Sequence, residues 1–145
     1  MNALDLEIEF GELLGDYYLS NAQEDMLEHW DVAIKFDIKS QPKSESIKGY
    51  RWVEIVNVNG ELGSLCGTAK FMVFEEQKYF IIVNREKLKD FVIKNIKDEF
   101  VTQSEWRKNP QPFLKYQRQG RKDVITLVPL IDLCYLGRVV KKKVT

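Results

Sequence analysis

Between residues 4 and about 20, Leu6, Phe10, Leu13, Leu14 and Tyr17 recur three or four positions apart, which predicts an amphipathic helix with its acids on the opposite face. Gly11 and Gly15 fall inside it, each costing about 1 kcal/mol relative to Ala, so its ends are poorly defined. From Asp31 to Lys39 the chain reads as strand. Alternation puts Asp37 and Lys39 on one face about 7 Å apart and turns Ile38 to the other side, into a core. Residues 40–49 are polar and contain Pro42 and Gly49, the composition of a loop. Arg51 to Val58 alternates again and is rich in Trp and Val. Asn59-Gly60 then marks a hairpin turn into a return segment, Leu62 to Cys66. Ala69–Phe74 and Tyr79–Val83 are further strands joined by a charged link. Asn84 is placed to cap a helix over residues 85–96, whose stripe is Leu88, Phe91, Val92 and Asn95. Residues 97–113, with two prolines, read as irregular. Asp123–Val128 is one more strand, and Leu130–Leu136 a short helix or turn. Strands and helices in this order predict a single α/β domain over residues 1–145, with helices flanking a mixed sheet of four to five strands.

Composition changes this picture in one respect. The chain carries 22 Lys and Arg against 22 Asp and Glu, a net charge of zero. Nine of those acids lie in residues 1–31, which contain no Lys or Arg, so the remainder holds 22 bases against 13 acids. A metal site needs local carboxylates and a phosphate groove needs local cations, and the chain supplies both, in different places. Cys66 and Cys134 stand far apart and form no C-x-x-C or Cys/His cluster, so they read as reduced core thiols. No apolar run reaches about 18 residues, which argues against a spanning helix, and no signal peptide is seen; both point to a cytoplasmic protein. His29, the only histidine, reads as a hydrogen-bonding neighbour of Trp30.

The chemistry concentrates between His29 and Lys39. Two carboxylates and an ammonium, held on adjacent strands, suit phosphodiester cleavage: hard oxygen ligands bind Mg²⁺, and the cation positions a nucleophile. On one straight strand Asp31 and Asp37 would lie roughly 20 Å apart. A shared ion therefore requires the chain to fold back around Ala33 to Lys35. On spacing alone, Asp-x-Lys reads first as a salt-bridged strand. Glu54 shares a strand face with Trp52 and Val56, which makes it an extra acid if that strand neighbours Asp37. Tyr116-Gln-Arg118-Gln-Gly-Arg121-Lys122 combines an aromatic, a glycine and three cations in a composition suited to phosphates, with Lys43 and Lys48 as second candidates.

Taken together, Gly11-Glu12, His29-Trp-Asp31, Asp37-Ile-Lys39, Trp52-Val-Glu54, Asn57-Val-Asn-Gly60-Glu-Leu-Gly63, Gly67-Thr-Ala69, Phe74-Glu75, Arg85-Glu-Lys-Leu88 and Tyr116 to Asp123 resemble a small member of the PD-(D/E)XK nuclease superfamily, of a sort common in phage genomes. The resemblance covers most of the chain. It implies a restriction-endonuclease-like core and a Mg²⁺- or Mn²⁺-dependent endonuclease acting on DNA, in the host cytoplasm if phage-encoded. Asp31 would be the first motif acid, and Asp37 and Lys39 the (D/E)xK pair. The ion would be held by Asp31, Asp37 and the carbonyl of Ile38. Glu12 would be the helical acid that orients the attacking water, with Glu7 and Glu9 close in register. Nucleases this small often act as homodimers. The alternative is an inactive nucleic-acid-binding or phage accessory protein that keeps the same fold.

Overall fold

The computed structural model of the chain describes residues 2–14 and 18–143, with the backbone alone at Leu13 and Leu14. Its helices are α1 (Ala3–Leu14), α2 (Ala22–Glu28), α3 (Arg85–Asn95), α4 (Gln103–Lys108) and α5 (Leu130–Leu136). Its strands are β1 (Tyr18–Leu19), β2 (Val32–Ala33), β3 (Phe36–Lys39), β4 (Tyr50–Val56), β5 (Phe71–Glu75), β6 (Tyr79–Asn84), β7 (Phe100–Val101), β8 (Lys115–Tyr116), β9 (Val124–Pro129) and β10 (Arg138–Lys141). The fold is mixed α/β. Among the described residues, however, the strands form two four-stranded sheets, in the orders β10-β6-β5-β3 and β4-β9-β8-β7, and a small β1-β2 ribbon. The single sheet of four to five strands expected above is thus divided. Each four-stranded sheet is mixed, since β3 runs parallel to β5 and β7 parallel to β8, while the other pairings are antiparallel. No helix among the described residues is long and apolar enough to cross a membrane.

The division follows from β4 and β9, which are apolar on both faces and therefore need cover on both sides. Val53 and Val128 point one way, into a core with Met72, Phe74, Ile81 and Val83 of the other sheet, Leu88 and Val92 of α3 and Leu133 of α5. Leu127 points the other way and joins Ile47, Leu114 and Tyr116, against which Trp52 and Trp106 pack. Trp52 stands edge-on to Trp106 and Tyr116, at centroid distances of 5.0 and 5.3 Å. This second core lies under the segment read above as irregular. That segment instead forms β7 and α4, and the helix opens with a capping box in which Thr102 accepts from the Glu105 amide and Glu105 accepts from the Thr102 amide.

Other elements correct the sequence reading in detail. At Asn59-Gly60 the chain does turn, with Gly60 at φ 82°. The return is a single bridge, Val56 to Leu62, followed by a 3₁₀ turn at Ser64–Cys66 where a strand was expected. The helix expected over residues 4–20 is described as α1 to Leu14; Gly15 and Tyr17 lie outside the described residues. Its expected core stripe is solvent-facing at Leu6 and Phe10, which are 60% and 54% exposed. α3 matches its prediction closely, with the Asn84 side chain accepting from the Lys87 amide. After α5 the chain returns to the edge of the first sheet. There β10 pairs with β6, and Lys142 reaches Glu75 at 2.8 Å.

Candidate active site

β3 is the outer strand of its sheet, paired in parallel with β5 so that Asp37 lies beside Met72 and Lys39 beside Phe74. Neighbouring residues in register share a face. Asp37 and Lys39 therefore sit on the same side as the core residues Met72 and Phe74, at the rim where that core runs out. Ile38 takes the other face and is 66% exposed, so the expected inward Ile38 is reversed. The cause is that β5 is apolar on both faces and does not dictate which side of β3 turns inward. Lys39 Nζ lies 3.0 Å from Asp37 Oδ2, both side chains about a third exposed.

The second sheet brings its residues to the same rim. Glu54, near the end of β4, projects with Trp52, and the ladder shifts by a bulge between Glu54 and Val56. The backbone folds tightly there. Gly63 donates to the Ile55 carbonyl, and a Cβ at Gly63 would lie 2.6 Å from the Glu54 carbonyl oxygen, so only glycine fits without a shift. The same turn directs the Ser64 amide toward Glu54 Oε1 at 3.4 Å. Below it, the buried Arg85 guanidinium donates to the carbonyls of Leu65 and Ala69, which fixes the 3₁₀ turn to α3. Arg118 approaches from the loop after β8, held by two contacts of 2.6 Å to Asp123 Oδ2, and Asp123 is fully buried.

These side chains meet in one cleft of about 380 Å³, lined by Lys39, Glu54, Ser64 and Arg118 over a floor of Trp52 and Trp106. Asp37 stands behind Lys39 and Asp123 behind Arg118. Each cation is held by a carboxylate while its remaining N–H donors are available to an anion in the cleft. Two further atoms near it, Ser64 Oγ and Asp123 Oδ1, are buried without a hydrogen-bond partner.

The remaining sequence candidates fall elsewhere. Asp31 is exposed and lines a separate groove with Leu6, Glu7 and Phe10. β2 pairs with β1 and β3 with β5, so the fold-back expected to set Asp31 and Asp37 on adjacent strands is not formed. Of the three acids in register on α1, Glu7 is the one beside Asp31; Glu12 is exposed and does not line the Lys39 cleft. Ile38 does not line it either. Arg121 and Lys122 are exposed, with the Lys122 stem against Gly60. Lys43 is exposed, and Lys48 is ion-paired with Glu45 at 2.6 Å. His29 ends α2 in the left-handed conformation, φ 56°. Ser64, Trp106 and Gln103 escaped sequence reading. The one available signal was Thr102-x-x-Glu105, which marks the start of the helix that carries two of them.

No family model, curated protein or solved structure matches this chain. The cleft must therefore be judged on its donor set. Among the described residues no three His, Cys, Asp or Glu side chains gather closely enough to form a metal cage. Mg²⁺, however, is commonly held by one or two carboxylates together with substrate phosphate oxygens. Glu54, a hard oxygen donor that lines the cleft, fits that mode; Asp37 does not line the cleft and is ion-paired to Lys39 at 3.0 Å.

Proposed function

We propose that this protein is a metal-dependent endonuclease of the PD-(D/E)XK kind, cleaving phosphodiester bonds in DNA. One observation carries the reading: Lys39 and Glu54, from strands of different sheets and 15 positions apart in sequence, converge with Arg118 on one cleft. A carboxylate, an ammonium and a guanidinium around one cleft are what in-line displacement at phosphorus requires. Glu54, together with substrate phosphate oxygens, would hold Mg²⁺ or Mn²⁺, and the ion would supply an acidified water and neutralise charge on the phosphate. Arg118 binds a phosphate oxygen through its free N–H edge and orients the group. Lys39 positions the nucleophile and donates a hydrogen bond to the charge that develops, while Asp37 fixes its ammonium. In this assignment Glu54 takes the place expected of Asp31.

The location of Asp31, in a different groove from Lys39, favours a second reading, in which the chain binds nucleic acid without cutting it. Incubation with linear, supercoiled and branched DNA and with RNA, with and without Mg²⁺ or Mn²⁺, separates the two. Metal-dependent cleavage lost in both Lys39→Ala and Glu54→Gln supports the enzyme. Binding without cleavage under every condition leaves the second reading.

A further inference from the structure

Beside the cleft, and sharing Gln103 with it, lies a larger groove of about 750 Å³ between β7, α4 and the 117–119 segment. Alternation along that segment turns Arg118 into the cleft and Gln117 and Gln119 into the groove. The groove carries Arg107 and Lys108, and no Asp or Glu lines it. Among the described residues neither cation is ion-paired, although both complement the C-terminal end of α4. Three carboxamides, Gln103, Gln117 and Gln119, face the same space. Phe100, on β7, is 56% exposed, and the Arg107 guanidinium lies 5.8 Å from the Trp106 ring.

We infer that this groove binds a single-stranded nucleic-acid tract leading away from the cleft, so that the substrate is a strand with unpaired nucleotides beside the scissile phosphate. This rests on the nuclease reading of the cleft. The argument for an unpaired strand is chemical. With Lys115 Nζ over one face of its ring, 5.4 Å from the centroid, Phe100 offers the opposite face to a base, and a base inside a duplex has no free face to give. Carboxamides carry both donors and acceptors, suited to base edges that pairing would otherwise occupy. Two cations are few for a duplex footprint but match a short strand, with an expected contribution to the salt slope of about 1.4, at roughly 0.7 per phosphate.

The test is fluorescence anisotropy in chelator with a labelled 12-mer oligo(dT) and a blunt DNA hairpin, using the full chain. Oligo(dT) should bind more tightly than the hairpin. Phe100→Ala should weaken it roughly 5- to 150-fold, the range for loss of one stacked base, and Phe100→Trp should restore it. Arg107→Ala with Lys108→Ala should lower the salt slope by about 1.4. Because Phe100 is exposed, its variants should keep the wild-type melting temperature, which guards against misfolding. Preference for the hairpin, indifference to all these variants, or equal binding of poly-glutamate would overturn the inference. Since chelator removes cleavage from the measurement, failure here leaves the Lys39 and Glu54 cleavage test standing, and the reverse also holds.

Discussion

Arg118 shows how a single side chain constrains the experiments that can be done on it. As a phosphate contact it could simply be truncated, and loss of affinity scored. Yet it also neutralises Asp123, which is fully buried. Removing one partner of a buried pair strands the other charge, at about 3–5 kcal/mol when both are buried and less here because Arg118 is partly exposed. Arg118→Ala should therefore lower the melting temperature clearly, whereas Arg121→Ala and Lys122→Ala should leave it near wild type, as thermal melts will show. A better probe of phosphate binding is Arg118→Lys, which keeps the charge and loses the forked geometry. Lys39→Ala makes no such demand on folding. It should reduce turnover about 10²-fold or more in a cleavage assay, the ordinary loss for a positioned catalytic group, and unchanged turnover would remove Lys39 from the mechanism.

Elements divide into those whose pattern is local and those set by their neighbours. α3 was legible because its cap and its Leu88 and Val92 stripe are written in adjacent residues, and β4, β6 and β9 because alternation and β-branched residues mark them. The two sheets were not legible, because both faces of β4 and β9 are apolar and nothing local says which strands will cover each. For the same reason Asp37 and Lys39 were readable as a pair while their inward orientation was not. Glu54 was visible only as an acid on an alternating strand; its place beside Lys39 depends on the packing of one sheet against the other. The turn at Gly63 offers a test at this scale. Gly63→Ala must displace the Glu54 backbone, so it should destabilise the fold by about 1–3 kcal/mol, the usual range for an inserted methyl in a filled space. It should also cost activity in the fraction that remains folded. Loss of stability with full specific activity would show that the site tolerates movement of Glu54. At α4, Thr102→Ala should cost about 1 kcal/mol in denaturant titrations through loss of its cap.

At the scale of the whole molecule, acid should act through carboxylates that the fold holds in their charged form. Glu75 titrates below its ordinary value because it accepts from Lys142 and from the Gln41 amide, Asp98 because of Lys115, and Glu105 because of the Thr102 amide. A depressed folded pKa stabilises above the unfolded value and ceases to do so as pH falls through the folded one. Melting temperature should accordingly be flat from neutral pH down to the carboxylate range and fall below it, and Lys142→Ala should shallow that fall. Rising stability on acidification would contradict these pairings. The outer position of β3 has a last consequence. Its free edge offers unpaired backbone groups to any passing strand, and the outward Phe36 and Ile38 make that edge adhesive. The charges of Asp37 and Lys39 are what discourages such stacking, so the residues assigned to catalysis also act as sentries against fibrillation. A chain neutralised at both positions should scatter light sooner on standing at high concentration than the parent does, even while its melting temperature is unchanged.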